Sequence, residues 1–176
     1  MVVDEFITKF RTAVLDVVAP PFWSGEEIVD FLNEAVQEAC ERAKLIEDRS
    51  TPAVCSVLLQ PGIDTYVLHR SVLEIKRLAC NGRLLCETSV EEQDLGGCHW
   101  EQHVGQPRSF IFEPANGARN PQVRLVPTPS SAGVAALTVY RSAIRPLLSG
   151  DCNTAPELPA RYHSRLMHWM MYRGHL

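Results

Sequence analysis

Phe22-Trp23-Ser24-Gly25-Glu26-Glu27-Ile28-Val29-Asp30-Phe31-Leu32 opens the best-marked element of the chain, and the fold is read outward from it. Ser24 followed three residues later by Glu27 is a capping box: the serine oxygen takes an orphan backbone N–H while the glutamate reaches back to the cap residue. Beyond it Ile28, Phe31, Leu32, Ala35, Val36, Ala39, Ala43 and Ile46 recur at helical spacing. Glu26, Asp30, Glu34, Glu38 and Glu41 fall largely outside that stripe. The pattern predicts a helix over 24–47. The alanines at 35, 39 and 43 let a second helix approach closely, either from the same chain or from a neighbouring subunit.

Upstream, Asp4 as N-cap and Phe6, Phe10, Val14 and Val17 along one face predict a first helix over 4–19, stopped by Pro20-Pro21. At the far end Pro159, where a missing N–H is harmless, opens a helix over 159–173. Tyr162, Leu166, Trp169, Met170 and Arg173 lie along one face of it, a stripe best read as core packed on the first two helices. His163, Arg165 and His168 fall to the sides, where solvation explains them.

Between the helices the texture is that of short strands, over about 53–141. Ala53 to Gln60 and Thr65 to Leu68 flank the Pro61-Gly62 turn. Leu73 to Cys80 and Arg83 to Thr88 flank Asn81-Gly82, the dipeptide best suited to a type I′ hairpin turn. In that register Leu78 faces Leu85, Lys76 faces Glu87 and Arg77 faces Cys86, so Cys80 and Cys86 do not meet. Ser89 and Glu92 cap a short helix ended by Gly96-Gly97, and strands are expected at 108–112, 122–126 and 134–141. The expected fold is α+β: a single domain in which the terminal helices pack as a bundle around an inserted antiparallel β-sandwich or small barrel.

Composition narrows the function. The chain has 176 residues, 45% of them hydrophobic and 22% charged, and is long enough to bury a core without staples. A net charge of -4 and a pI near 5.9 argue against a general nucleic-acid or membrane-surface binder. The six cysteines show no CxxC spacing and read as thiols of a reducing cytoplasm. Met1 to Lys9 has neither the charge order nor the apolar run of a signal peptide or membrane anchor.

Chemistry finds little purchase. Cys98, His99 and His103 are the nearest approach to a zinc set, but Trp100, Gly105 and Pro107 argue against a helix holding both histidines on one face. There is no GxSxG, no GxxxxGK[ST] and no GxGxxG between a strand and a helix. Glu34, Glu38 and Glu41 read as a solvated helix face rather than catalytic carboxylates. No catalytic residue, metal ligand or cofactor is expected. A monomeric binding module or assembly chaperone is the rival reading, and a small zinc-dependent hydrolase on Cys98, His99 and His103 a more distant one.

The run from Trp23 to Ala35, continued by Glu38-Ala39-Cys40-Glu41-Arg42-Ala43, resembles the second helix of the head-to-tail adaptor, or connector, proteins of tailed bacteriophages. Gln60-Pro61-Gly62 with Tyr66-Val67-Leu68, Val72 to Arg77, Gly105-Gln106-Pro107, Val123 to Pro129 and Leu137 to Arg141 follow in the family's order. Leu158-Pro159-Ala160-Arg161-Tyr162-His163, with Leu166, Trp169 and Tyr172-Arg173, completes the series. The resemblance implies a structural virion protein of the neck, assembled in the host cytoplasm and not an enzyme. It implies a homo-oligomeric, dodecameric ring under the portal protein that extends the DNA channel and meets a downstream tail or nozzle protein. Duplex DNA passes without specific recognition, and no membrane is involved. Chains of that family often continue past the last helix with a segment that engages the portal, whereas this sequence stops at Leu176. The acidic residues Glu26, Glu34, Glu38 and Glu41, the basic residues Arg108, Arg124, Arg141 and Arg173, and Tyr162 are the expected contacts to neighbours.

Overall fold

The computed structural model describes residues 1–97 and 99–175. In chain order it has helices α1 (Val3–Ala13) and α2 (Gly25–Ala43), strand β1 (Ile46–Asp48), the short helix α3 (Pro52–Cys55), and strands β2 (Ser56–Leu59), β3 (Thr65–Val67), β4 (Val72–Cys80), β5 (Arg83–Leu84) and β6 (Cys86–Glu87). Helix α4 (Val90–Gly96), strands β7 (Val104–Gly105), β8 (Ser109–Glu113), β9 (Gln122–Val126), β10 (Thr128–Pro129) and β11 (Gly133–Arg141), and helix α5 (His163–Gly174) follow. The fold is α+β. The chain forms two units: a helical one of Met1–Ile46 with Ser142–Leu176, and a β-rich one of Glu47–Arg141.

In the helical unit α1, α2 and α5 pack on one another. Phe6, Phe10, Ile28, Leu32, Leu166 and Met170 are buried between them. The capping box forms as read: Ser24 Oγ accepts the Glu27 N–H at 3.2 Å and Glu27 accepts the Ser24 N–H at 2.8 Å. Two helix ends differ from expectation. Lys44 takes left-handed backbone (φ 49°) and closes α2 at Ala43, so Ile46 and Glu47 belong to a strand instead of the helix face. Helix α1 ends at Ala13, well before Pro20, because Leu15 adopts φ 61° and the chain closes a Schellman turn. There Asp16 N–H bonds Arg11 C=O at 2.9 Å and Leu15 N–H bonds Thr12 C=O at 3.4 Å. Val17, assigned by periodicity to the helix, is therefore exposed. His163, read as solvated, is instead buried, with Nε2 2.8 Å from Leu158 C=O and its ring beside Phe6.

In the β-rich unit one open sheet runs β1-β11-β4-β5, with β2 also on β11. A second, four-stranded one runs β3-β9-β8-β6, and β10 pairs with β7. β11 pairs antiparallel with β2 and β4, as do β4 with β5, β3 with β9 and β8 with β9, whereas β6 with β8 and β7 with β10 are parallel. Neither larger sheet closes into a barrel among the described residues. The Asn81-Gly82 hairpin is present, with φ of 49° and 84° and with Cys80 opposite Arg83. Leu85 N–H bonds Leu78 C=O at 2.9 Å, but there the strands part. Cys86 and Glu87 turn to pair with β8, so the expected Lys76–Glu87 and Arg77–Cys86 partners do not form. Ala53 to Cys55, expected as strand, lie in the short helix α3, with Pro52 at its start, where its fixed φ is suited. A Cβ at Gly133 would lie 2.5 Å from the Asn81 carboxamide oxygen, which accepts the Val134 N–H at 3.0 Å, so a side chain there would have to displace Asn81 from that bond.

Candidate assembly surfaces

The expected contact residues divide between the two units. On the helical unit, Glu34 lies 2.6 Å from Arg173 Nε and takes a 3.3 Å hydrogen bond from its Nη2. Glu38 pairs with Arg42, one turn on. Glu41 accepts from Gln37 Nε2 at 2.9 Å, and the Arg161 guanidinium lies 4.8 Å over the Tyr162 ring. Glu26, in the first turn of α2, is exposed. The acidic face is thus partly engaged within the chain, in side-chain pairs that sit at the surface and contribute little each.

On the β-rich unit Arg108 is exposed. Arg124 pairs with Asp64 at 2.8 Å and Glu101 at 3.0 Å, and its guanidinium lies 4.8 Å over the Trp100 ring. Burial opposes ionisation of Asp64, yet the Arg124 hydrogen bond and charge hold its carboxyl below the usual range. Arg141 turns inward. Its Nε donates to Asp48 Oδ2 at 2.7 Å, and Asp48 also accepts from Thr51 Oγ1 at 2.7 Å and from the Ser50 and Thr51 N–H groups at 3.0 and 3.1 Å. Burial opposes charge on Asp48, but these donors win and hold its carboxyl well below the ordinary value of 3.8. The neighbouring Cys55 thiol is pushed up to about 11, first by burial and then by the Asp48 charge. This cluster organises the unit's interior and leaves Arg141 largely covered. A second, open groove of about 480 Å³ on the same unit is lined by Arg49, Lys76, Arg77 and Glu87, with Lys76 2.6 Å from Glu47.

Cys98 of the expected zinc set lies outside the described residues. His99 and His103 flank the single turn Trp100–Gln102 and do not share a helix face. Among the described residues no group of three or more His, Cys, Asp or Glu is placed to hold a metal ion. None of the described helices is long and apolar enough to cross a membrane.

Two surfaces were not anticipated. The α1–α2 loop displays Leu15, Val17, Val18 and Phe22 to solvent. It is fastened from behind: Asp16 accepts the Phe22 N–H at 2.6 Å, the Trp23 N–H at 3.1 Å and an Arg11 guanidinium bond at 2.9 Å, and Trp23 packs edge-on against Phe31. The Phe22 and Trp23 N–H bonds, with Arg11, hold the Asp16 carboxyl below its usual range. The second surface is a groove of about 280 Å³ between the C-terminal half of α2 and the start of α5, floored by Ala35, Ala39 and Leu166 and walled by Trp169. The sequence signal for the loop is the run Val14 to Phe22, apolar but for Asp16; the first part of this run, up to Ala19, falls inside the helix that periodicity predicts.

The sequence profile of the SU10 adaptor protein family matches residues 1–176, and the chain belongs to that family, one of structural adaptors of bacteriophages rather than a known family of enzymes. No curated protein matches the chain.

Proposed function

We propose that this protein is a head-to-tail adaptor of the virion neck. In this reading the whole chain acts as one adaptor that assembles as a homo-oligomeric ring, a dodecamer, beneath the portal protein. It extends the DNA channel and offers its far side to the next tail or nozzle component. The observation that carries the reading is the family match over the entire length.

A ring of identical subunits needs two different, complementary faces whose contact closes by rotation. The acidic helix face, with Glu26 free of intrachain hydrogen bonds among the described contacts, and the exposed Arg108 are candidates for steering neighbours into register. Glu34, Glu38, Glu41, Arg124, Tyr162 and Arg173 shape those faces through their intrachain partners. A net charge of -4 suits a conduit for duplex DNA, because each added phosphate contact would tighten its grip on the passing polymer.

Negative-stain imaging of the purified chain, alone and mixed with its cognate portal, tests the proposal. Rings, or density added to one end of the portal, are expected. Monomers that leave the portal bare would overturn it.

A further inference from the structure

The exposed α1–α2 loop and the α2–α5 groove are both apolar surfaces of the helical unit. Leu15, Val17, Val18 and Phe22 are 82%, 69%, 75% and 80% exposed, an apolar cluster that a soluble protein does not leave uncovered without use. The Asp16 bonds to Phe22, Trp23 and Arg11 fix the loop in shape before it meets anything, which removes much of the ordering cost of binding. The groove is its counterpart in character. It is mostly apolar, and small side chains at Ala35 and Ala39 bring its floor close to the helix backbone.

The loop does not fill the groove of its own chain. It sits before Gly25, whereas the groove centres on Ala39, fourteen residues along α2 and so about 21 Å up a rigid helix. Charge points the same way. The loop end of α2 carries exposed Glu26 and Asp30. The groove is lined by Glu38, which pairs with Arg42, and by the exposed Arg165 at the start of α5, with Arg161 nearby, so its unpaired charge is positive. An apolar knob flanked by acids and an apolar slot with a base left over after that pairing complement each other.

We propose that the 15–22 loop of one copy of this chain seats in the α2–α5 groove of the next, with Glu26 meeting Arg165 across the contact. Joining unlike ends, the contact is heterologous and propagates around a ring. The inference rests on the ring reading above and names the surfaces that would make it.

Mass photometry and sedimentation velocity of the full chain, alone and with the cognate portal, test it. The variants are V18S/F22S, E26R, R165E and E26R/R165E, each checked for native circular dichroism. Substituting only exposed side chains keeps the fold. V18S/F22S is expected to weaken self-association at least about tenfold. Each single reversal weakens it several-fold, and the double reversal restores it. Oligomers unaffected by V18S/F22S overturn the loop–groove contact while leaving the ring reading standing. Normal oligomers that fail only to capture portal assign the loop to the portal and overturn it too. A wild-type chain that stays monomeric with and without portal overturns both readings together.

Discussion

At the scale of single residues, Asp48 and Leu15 show opposite situations. Asp48 is 6% exposed and charged, and the donors of Ser50, Thr51 and Arg141 compensate its burial. Replacing it with asparagine removes a buried charge that Arg141 and the Ser50 and Thr51 donors are arranged to meet, so Asp48→Asn is expected to lower unfolding stability by about 3 kcal/mol in urea titrations. The pH dependence has a definite sign. The folded carboxyl titrates below 3.8, its unfolded value, so its stabilisation is fully present above that pH and is lost as pH falls below it. Acid titration of the variant is therefore expected to be flatter below pH 3.8 than that of the wild type; parallel curves would show that Asp48 is not the group responsible. Leu15 holds a left-handed backbone that leucine disfavours, and its side chain is solvent-exposed. Leu15→Gly is expected to raise stability by about 0.5–1 kcal/mol in the same titration, since relief of backbone strain exceeds the added freedom of the unfolded chain. Such a gain together with weaker self-association would separate the residue's two roles.

At the scale of elements, the ends of α2 and α5 carry the sharpest expectations. Ser24→Ala removes the acceptor of the Glu27 N–H and is expected to cost about 1 kcal/mol in thermal unfolding. Gly174→Ala places a Cβ 2.6 Å from Cζ of Phe10, a ring with no exposed surface and no room to retreat. A loss of about 1–3 kcal/mol is expected, and an unchanged melting curve would mean that α5 does not approach α1 so closely. These elements also show what was legible in the sequence. Ser24 with Glu27, Asn81-Gly82 and Ser89 with Glu92 were readable because each acts through backbone groups two or three residues away. The end of α1 was not, because Leu15 is neither glycine nor asparagine, and its turn depends on Asp16 reaching across to Phe22 and Trp23. The parting of the hairpin after Leu85 was hidden for a similar reason: Cys86 finds a partner in Ser109, far along the chain. Glu26 was recognised as an exposed acid, but Arg141 was misjudged as a surface base, since its partner Asp48 lies ninety-three residues away.

At the scale of the whole molecule, the proposed assembly through acidic and basic surfaces carries a kinetic signature. Charge pairs at a rim speed encounter more than they strengthen the finished contact. Ring formation followed by light scattering is therefore expected to slow markedly at high salt, while preformed rings dissociate at nearly unchanged rates. Equal slowing at all salt concentrations would remove electrostatic steering from the account. The Asp48–Arg141 bond has a different kind of consequence. Asp48 stands at the entry to the β-rich unit, after Glu47, and Arg141 is its last residue, so a 2.7 Å hydrogen bond ties together the two places where the chain enters and leaves. A segment with its ends knotted side by side is a cassette: recombination can lift it out or swap it for another of different length while the flanking helices keep their own sequence continuity.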